Sequence, residues 1–253
     1  MSATYATYTR FEMLRLLRNR QNLAFSAIFP IVMYFLLAGP NKDNHNFGGT
    51  KAHPTGLFAP QYYMVSLLAF GGMIAVLSGG ARIAAERTVG WNRLLRLTPL
   101  SAVAYLRSKL LTGYLMAAIT IALLYAAGIA LGVRLPFTSW LEMTALILIA
   151  LIPFAALGIG LGHLLNDDAA GPATGGGVSL FAFLGGSWFP IVGGGLFAGF
   201  CKLLPSYWLV QAGHVGLGAK NPWGLEAWLV IAVWTAAASV LAMWAYRRDT
   251  RRA

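Results

Sequence analysis

Residues that could perform chemistry are few in this sequence and lie far apart. The chain has four histidines: His45, His53, His163 and His214. None pairs with another at i, i+4 spacing or stands in a carboxylate cluster, so no metal site is predicted. Asp167 and Asp168 form the only adjacent acidic pair, and we expect them in a solvated turn before a helix N-terminus. The sequence therefore predicts no cofactor bound by this chain.

The sequence also lacks the common phosphate-binding loop motif and the second cysteine that an intrachain disulfide needs. No segment matches G-x-x-x-x-G-K-[ST], the loop whose backbone amides hold phosphates. The single cysteine, Cys201, leaves no intrachain disulfide to form. Any work driven by nucleotide hydrolysis must come from another chain.

The elements that position these residues are apolar runs. The chain has 253 residues, of which 58% are hydrophobic and 11% are charged, whereas soluble domains carry about 25% charged residues. We predict an all-α integral membrane protein, since a spanning helix needs about 20 apolar residues. The six predicted spans are 23–38, 62–81, 110–133, 141–165, 169–189 and 227–246. Pro30 and Pro153 fall inside spans and predict kinks.

The distribution of positive charge predicts the orientation. The formal charge is +11, but the basic residues stand in clusters between apolar runs, which argues against a nucleic-acid surface. Segments 10–20, 82–109 and 247–252 hold four, six and four basic residues, whereas the opposite loops hold five in all. Because positive loops stay in the cytoplasm, both termini and the loop between spans two and three are predicted to be cytoplasmic.

The N-terminal segment, 1–22, precedes the membrane domain, 23–253. Around Met13 and Leu16, apolar positions alternate with Arg10, Arg15 and Arg18 at helical spacing. This pattern fits an amphipathic helix on the cytoplasmic interface, and equally a basic flank that only orients the first span.

The loop 82–109 carries more than positive charge. Its first part continues span two as a helix, and Pro99 ends the helical pattern because it lacks an amide hydrogen. Ser101 is the predicted cap of the next helix. An orienting loop needs only arginines, whereas this one also presents Trp91, Leu94 and Leu95. Those apolar residues predict a partner surface.

The segment 190–222 is too long for a turn and too apolar for a solvated loop. Gly193–Gly195 and Pro205 interrupt it, so no apolar run in it reaches spanning length. Short re-entrant or interfacial helices are predicted here, and a further span stays open as an alternative.

Several motifs resemble the ABC-2 type permease family of ATP-driven exporters. The loop shows that family's E-[RK]-x-x-G, then L-x-x-x-P-x-S, then a lysine before span three, in Glu86-Arg87-Thr88-Val89-Gly90, Leu95-Arg96-Leu97-Thr98-Pro99-Leu100-Ser101 and Lys109. The outer region of the family is matched by Trp188-Phe189-Pro190, Leu204-Pro205 and Trp208. The likeness covers nearly the whole chain and comes nearest to daunorubicin-resistance-like and linearmycin-resistance-like permeases.

This resemblance implies a transport subunit rather than an enzyme. Such permeases pair as homodimers or heterodimers in the bacterial inner membrane and bind two ATPase chains, which supply the ATP and Mg²⁺ sites. The implied substrate is an amphipathic drug, natural product or lipid. The implied ATPase-coupling residues are the apolar Trp91, Leu94, Leu95 and Leu97 with the polar Glu86, Arg87 and Arg93. Candidate residues of the substrate cleft are Phe25, Phe29, Tyr34, Phe181 and Phe183.

Two other functions remain open at this point. A membrane-embedded lipid-modifying enzyme would place carboxylates to hold magnesium, for which Asp167 and Asp168 give only weak support. A secondary carrier would place charged groups in the middle of its spans. Spans one, three, five and six carry none in their interiors.

Overall fold

The computed structural model describes residues 2–47, 57–91, 94, 97–98, 100–189, 191, 195–217 and 223–252, and over these residues the chain is all-helical. The α-helices of the described part are α1 (Ser2–Arg18), α2 (Arg20–Leu23), α3 (Phe29–Ala38), α4 (Ala59–Thr88), α5 (Ala102–Ala130), α6 (Phe137–Ala150), α7 (Ile152–Leu164), α8 (Asp167–Gly185), α9 (Leu196–Lys202), α10 (Pro205–His214) and α11 (Leu225–Arg252). A π-helical turn (Ala24–Ile28) precedes α3, and a 3₁₀ turn (Val215–Leu217) follows α10.

Four helical segments are long and apolar enough to cross a membrane: Ala59–Thr88, Val103–Ala130, Phe137–Leu164 and Leu225–Asp249. They overlap the predicted spans two, three, four and six. The predicted first span corresponds to a shorter apolar helix, Ala24–Ala38. The predicted fifth span corresponds to α8, whose many glycines add little hydropathy. The structure therefore supports a membrane protein with four candidate spans, and the count of six stays a prediction.

Several helix ends differ from the predicted ones. Helix α4 continues to Thr88 and α5 begins at Ala102, beyond the predicted span ends at 81 and 110. Charged residues can remain in a helix that has left the apolar layer, so an end read from hydropathy falls short of the true helix end. The predicted cap is confirmed, because the Ser101 hydroxyl accepts a hydrogen bond from the Ala104 amide at 3.2 Å.

Helix α4 forms the centre of the bundle. It packs against α3, α5, α7, α8 and α10, and 83% of its most apolar window is buried. Close approach to α7 depends on glycine: a methyl group on Gly80 would overlap the Gly158 carbonyl, and one on Gly162 would meet Gly80. The G-x-x-x-G motif of α7 thus serves packing within the chain. The helix breaks at Leu151, two residues before Pro153, as the kink prediction required.

Polar contacts distinguish the two ends of the bundle. At one end, which we call the basic end, α1 and the C-terminus of α11 meet the C-terminal part of α4. At the far end, the Tyr62 hydroxyl donates to the Gly186 carbonyl at 3.0 Å. Two short helices, α9 and α10, occupy the segment predicted to be re-entrant, and α10 packs against α4, α6 and α8. Residues 190, 192–194 and 218–222 of that segment lie outside the described residues.

Candidate functional site

A buried ion cluster joins three helices at the basic end. The Lys109 ammonium of α5 lies 2.6 Å from Oε1 of Glu86 on α4 and 2.9 Å from Oε2 of Glu12 on α1. Arg15 of α1 also reaches Glu86 Oε1, at 3.0 Å. The Glu86 and Lys109 side chains are each 1% exposed. The two buried carboxylates are therefore balanced by the buried Lys109 and by Arg15, whose side chain is 61% exposed. Buried charges are tolerated when they are paired in this way.

Hydroxyl groups complete the surroundings of the ion cluster. The Tyr105 hydroxyl donates to Glu86 Oε2 at 3.1 Å, and the Tyr8 hydroxyl donates to Glu12 Oε1 at 3.4 Å. Burial, with the negative charge of Glu12 and Glu86, raises the pKa of Tyr8 above its ordinary value, so the phenol stays a neutral donor. The hydroxyl groups of Thr9 on α1 and Ser108 on α5 also share a hydrogen bond, at 2.7 Å. Helix α1 is thus fixed to α5 by several polar contacts.

One further cation lies beside this cluster. Arg82, one turn before Glu86 on α4, has buried Nε and Nη2 atoms for which no described residue provides a hydrogen-bond partner. The charges of Glu12 and Glu86 act on it favourably and that of Arg15 unfavourably. Arg82 thus adds a second buried cation beside the two buried carboxylates.

A groove of about 840 Å³ opens above the ion cluster, between α1 and the loop that follows α4. Glu12, Arg15 and Glu86 contribute to its floor, and most of the remaining surface is apolar. The lining residues are Thr7, Tyr8, Phe11, Glu12, Arg15, Glu86, Val89, Trp91, Thr98 and Leu100. Its shape and apolar walls suit a helix with one apolar face.

The described part of the loop after α4 exposes large apolar side chains. Val89 is 76% exposed, Leu94 is 56% exposed and Leu97 is 85% exposed. Trp91 lines the groove. Of the predicted coupling residues, Arg93 and Leu95 lie outside the described residues. An exposed apolar loop beside basic residues favours a protein partner over solvent.

Glu86 and Arg87, the two polar coupling candidates among the described residues, contact the chain's own helices. Glu86 is held in the ion cluster, with both carboxylate oxygens engaged. Arg87 donates from Nη1 to the carbonyls of Gly162 and Leu165, at 3.1 and 3.0 Å. Its Nε donates to Asp249 on α11 at 3.0 Å. Both side chains are thus engaged within the chain, and their predicted contact with an ATPase stays untested.

Asp249 also forms a hydrogen bond with one of the four histidines, His163. Its Oδ2 lies 2.9 Å from Nδ1 of His163, so α4, α7 and α11 are joined by Arg87, Asp249 and His163. His163 is therefore hydrogen-bonded near the C-terminal end of α7. Asp167 and Asp168 are exposed in the first turn of α8, as expected. Among the described residues no group of three His, Cys, Asp or Glu could hold a metal ion.

The predicted cleft residues divide into two classes. Phe25, in the turn before α3, and Phe183, on α8, are each more than half exposed. Tyr34 is fully buried, and Phe29 and Phe181 are partly buried against the core, where Phe181 meets Phe154 edge-on. Phe70 of α4 contacts both Phe29 and Trp188, which follows α8. The five residues therefore lie on α8, on α3 and in the turn before α3, all of which pack against α4, and none of the described pockets is lined by them together.

Sequence reasoning missed the ion cluster. It did not single out Glu12, and it used Lys109 only as a charge that sets the orientation and as a residue of the family motif. The available signal was chemical: Glu12 is the only acid among the basic residues of segment 4–20, and Lys109 stands at the start of an apolar run. Each is costly to bury alone, so each required an opposite charge.

Comparison with known proteins supports a transport role. No family model matches the chain. A Bacillus subtilis (strain 168) protein named "Putative transport permease YvfS" is 28% identical over 211 residues, which cover 82% of this chain and 80% of that protein. The chain is thus an all-helical membrane protein that resembles a transport permease over four fifths of its length.

Proposed function

We propose that this chain is the permease subunit of an ATP-driven exporter and that a separate ATPase docks on its basic end. The observation that carries this proposal is the apolar loop of Val89, Trp91, Leu94 and Leu97 beside the 840 Å³ groove. The ABC-2 motifs fall on this same loop. The similarity to a named transport permease supports the membrane half of the proposal.

The ion cluster gives the docking surface a rigid base. A force applied to the loop after α4 passes to Glu86, and from there through Lys109 to α5 and Glu12 of α1. Buried charge pairs resist separation because breaking one exposes an uncompensated charge. The three helices should therefore move together when an ATPase closes. In this mechanism ATP and Mg²⁺ are bound by the partner, and the permease converts its movement into a rearrangement of helices.

A second permease copy would complete the pathway. On α8, the glycines at 171, 175 and 176 have open space where a side chain would stand, and Phe183 is exposed nearby. Small residues allow a facing helix to approach closely. We place the contact between copies along α8 and α3, with Phe25 and Phe183 beside the cleft. The substrate is an amphipathic drug, natural product or lipid that moves outward between the copies.

The orientation follows from the same assembly. The basic end faces the cytoplasm, where the ATPase and its ATP are found. In this proposal α3 and α8 also cross the membrane, in addition to the four candidate spans. The chain then crosses six times, and both termini lie in the cytoplasm.

Substitution of exposed leucines tests the docking surface without disturbing the fold. The double change Leu94→Asp and Leu97→Asp should abolish association with an ATPase, because it places two charges in an apolar contact. The assay is affinity purification from the native membrane, followed by measurement of ATP hydrolysis in the eluate. The control is Leu196→Asp, which changes an even more exposed leucine, in α9.

The expected result is ATP hydrolysis with the unchanged protein and with Leu196→Asp, and its loss with the double variant. Retained hydrolysis with the double variant at normal expression would refute the docking surface. Absence of an ATP-hydrolysing partner from every sample would refute the proposed function.

A further inference from the structure

The N-terminal helices change their winding at one place. Residues Ala24–Ile28 form a π-helical turn between α2 and α3, and the Phe29 amide donates to the carbonyl of Ala24, five residues earlier. Pro30 follows directly. In a regular α-helix residue 30 would donate to the Ser26 carbonyl, but proline has no amide hydrogen and its ring crowds that carbonyl. The wider turn accommodates the proline, and the Ser26 carbonyl loses its α-helical donor.

Thr120 of α5 replaces that donor. Its hydroxyl donates to the Ser26 carbonyl at 2.9 Å, and the Met116 carbonyl, one turn earlier in α5, lies 3.0 Å from the same hydroxyl. Ser26 and Thr120 are both fully buried, so the contact is shielded from solvent and its loss is costly. The hydroxyl thus joins the turn to α5, and Met116 offers it an alternative acceptor when the turn moves away.

Helix α4 meets the turn at the same level. A side chain added to Gly71 would meet Thr120, Pro30 and the Ser26 carbonyl, so the glycine lets α4 and α5 approach the turn together. These contacts fix the level of the turn within the bundle. From there α3 extends for ten residues, about 15 Å, toward the far end.

The segments on the two sides of the turn are held differently. Helix α1 is tied to α5 by the ion pair of Glu12 with Lys109 and by the hydrogen bond of Thr9 with Ser108. Within the part of the chain that the structure describes, α3 packs on other helices through apolar side chains, and the buried hydroxyl of Tyr34 has no hydrogen-bond partner. Helix α3 can therefore tilt without breaking a polar contact of its own, whereas α1 cannot.

We propose that α3 pivots at the π-helical turn and that Thr120 is the positioning residue of this pivot. While Thr120 donates to Ser26, α3 keeps the direction seen in this structure. When the hydroxyl donates to Met116 alone, α3 is free to tilt. A tilt of about 20°, the size of a sharp helix kink, would move the outer end of α3 by about 5 Å. The pivot requires no ATPase, and its use in widening the cleft beside Phe25 rests on the proposed function.

Distances between spin labels on the N-terminal helices and α5 test the pivot in the full-length protein. Cys201→Ala removes the single native cysteine, so pairs of introduced cysteines can be labelled. Leu36→Cys with Ile129→Cys forms the outer pair, beyond the turn, and Leu17→Cys with Leu111→Cys forms the inner pair, toward the basic end. All four positions are exposed. Distance distributions are measured by electron paramagnetic resonance in lipid nanodiscs, without any ATPase.

The outer pair should give a broader distribution than the inner pair. Thr120→Val keeps the branched shape but removes the donor, and it should shift the outer distance by about 3–5 Å. Thr120→Ser retains the hydroxyl and should leave that distance unchanged. Pro30→Ala restores an amide donor for Ser26, so it should narrow the outer distribution and cancel the effect of Thr120→Val. The inner distance should stay constant throughout.

An outer distance that Thr120→Val leaves unchanged would overturn the proposal. So would equal shifts of both pairs, because α1 and α3 would then move as one body. A broad outer distribution that persists in Pro30→Ala would overturn it as well. Since the measurement uses the protein alone, each of these results would leave the ATPase docking surface untouched.

Discussion

Replacing Lys109 with methionine removes the buried cation that bridges both carboxylates. Methionine keeps the length and apolar stem of lysine, so the change deletes charge with little loss of volume. Glu12 and Glu86 then keep only Arg15, whose side chain is 61% exposed, and the neighbouring Arg82 as counter-charges. We expect the contact between α1, α4 and α5 to weaken before the rest of the bundle does.

The magnitude follows from the burial of the pair. Removing one partner of a buried ion pair costs about 3–5 kcal/mol. The deficit of Lys109→Met should therefore be about 3–5 kcal/mol.

The assay is unfolding in mixed micelles, followed by tryptophan fluorescence. Lys202→Met, a change at an exposed lysine, is the control and should stay within about 0.5 kcal/mol of the unchanged protein. The triple variant that adds Glu12→Gln and Glu86→Gln should recover most of the lost stability. A Lys109→Met protein as stable as the control would refute the ion cluster as the link between these helices.

Three other outcomes follow from the same structure. Gly80→Ala should lower the unfolding free energy by about 1–3 kcal/mol because its methyl meets the backbone of α7, whereas Gly175→Ala, at an open position, should be neutral or stabilising by up to about 1 kcal/mol in the same assay. A double-mutant cycle of Arg87→Gln and Asp249→Asn should give a coupling of about 0.5–3 kcal/mol, and additive effects would contradict the contact seen here. A reporter fused at Asn44 should be active outside the cytoplasm, and an inside signal would reverse the proposed orientation.

The sequence predicted the helical class and the approximate place of the four candidate spans because hydropathy alone determines both. It also predicted the Ser101 cap and the break near Pro153, since these depend on local chemistry. The helical continuation of span two was predicted as well and reaches Thr88, although the span end itself was placed at 81 because charged residues outside the apolar layer carry no hydropathy signal. Spans, caps and breaks depend on residues close together in the chain, so they can be predicted from the sequence pattern.

The ion cluster could not be predicted from spacing. Glu12, Glu86 and Lys109 are separated by 74 and 23 positions in the chain and meet only after α1, α4 and α5 pack. Sequence motifs marked Glu86 as a family residue but did not show what it contacts. The same limit applies to Arg87, whose partners Gly162, Leu165 and Asp249 come from two other helices. Single residues could be recognised, whereas their pairing required the fold.

The central claim is that an ATPase chain binds the loop after α4 and drives this permease. Site-specific photocrosslinking tests it most directly, with a photoreactive amino acid at Leu97 and, as control, at Leu196. The account predicts that Leu97 in native membranes forms a crosslink to an ATP-binding chain, and that Leu196 forms none. Crosslinking of Leu97 to lipid alone, or equal crosslinking from both positions, would contradict it.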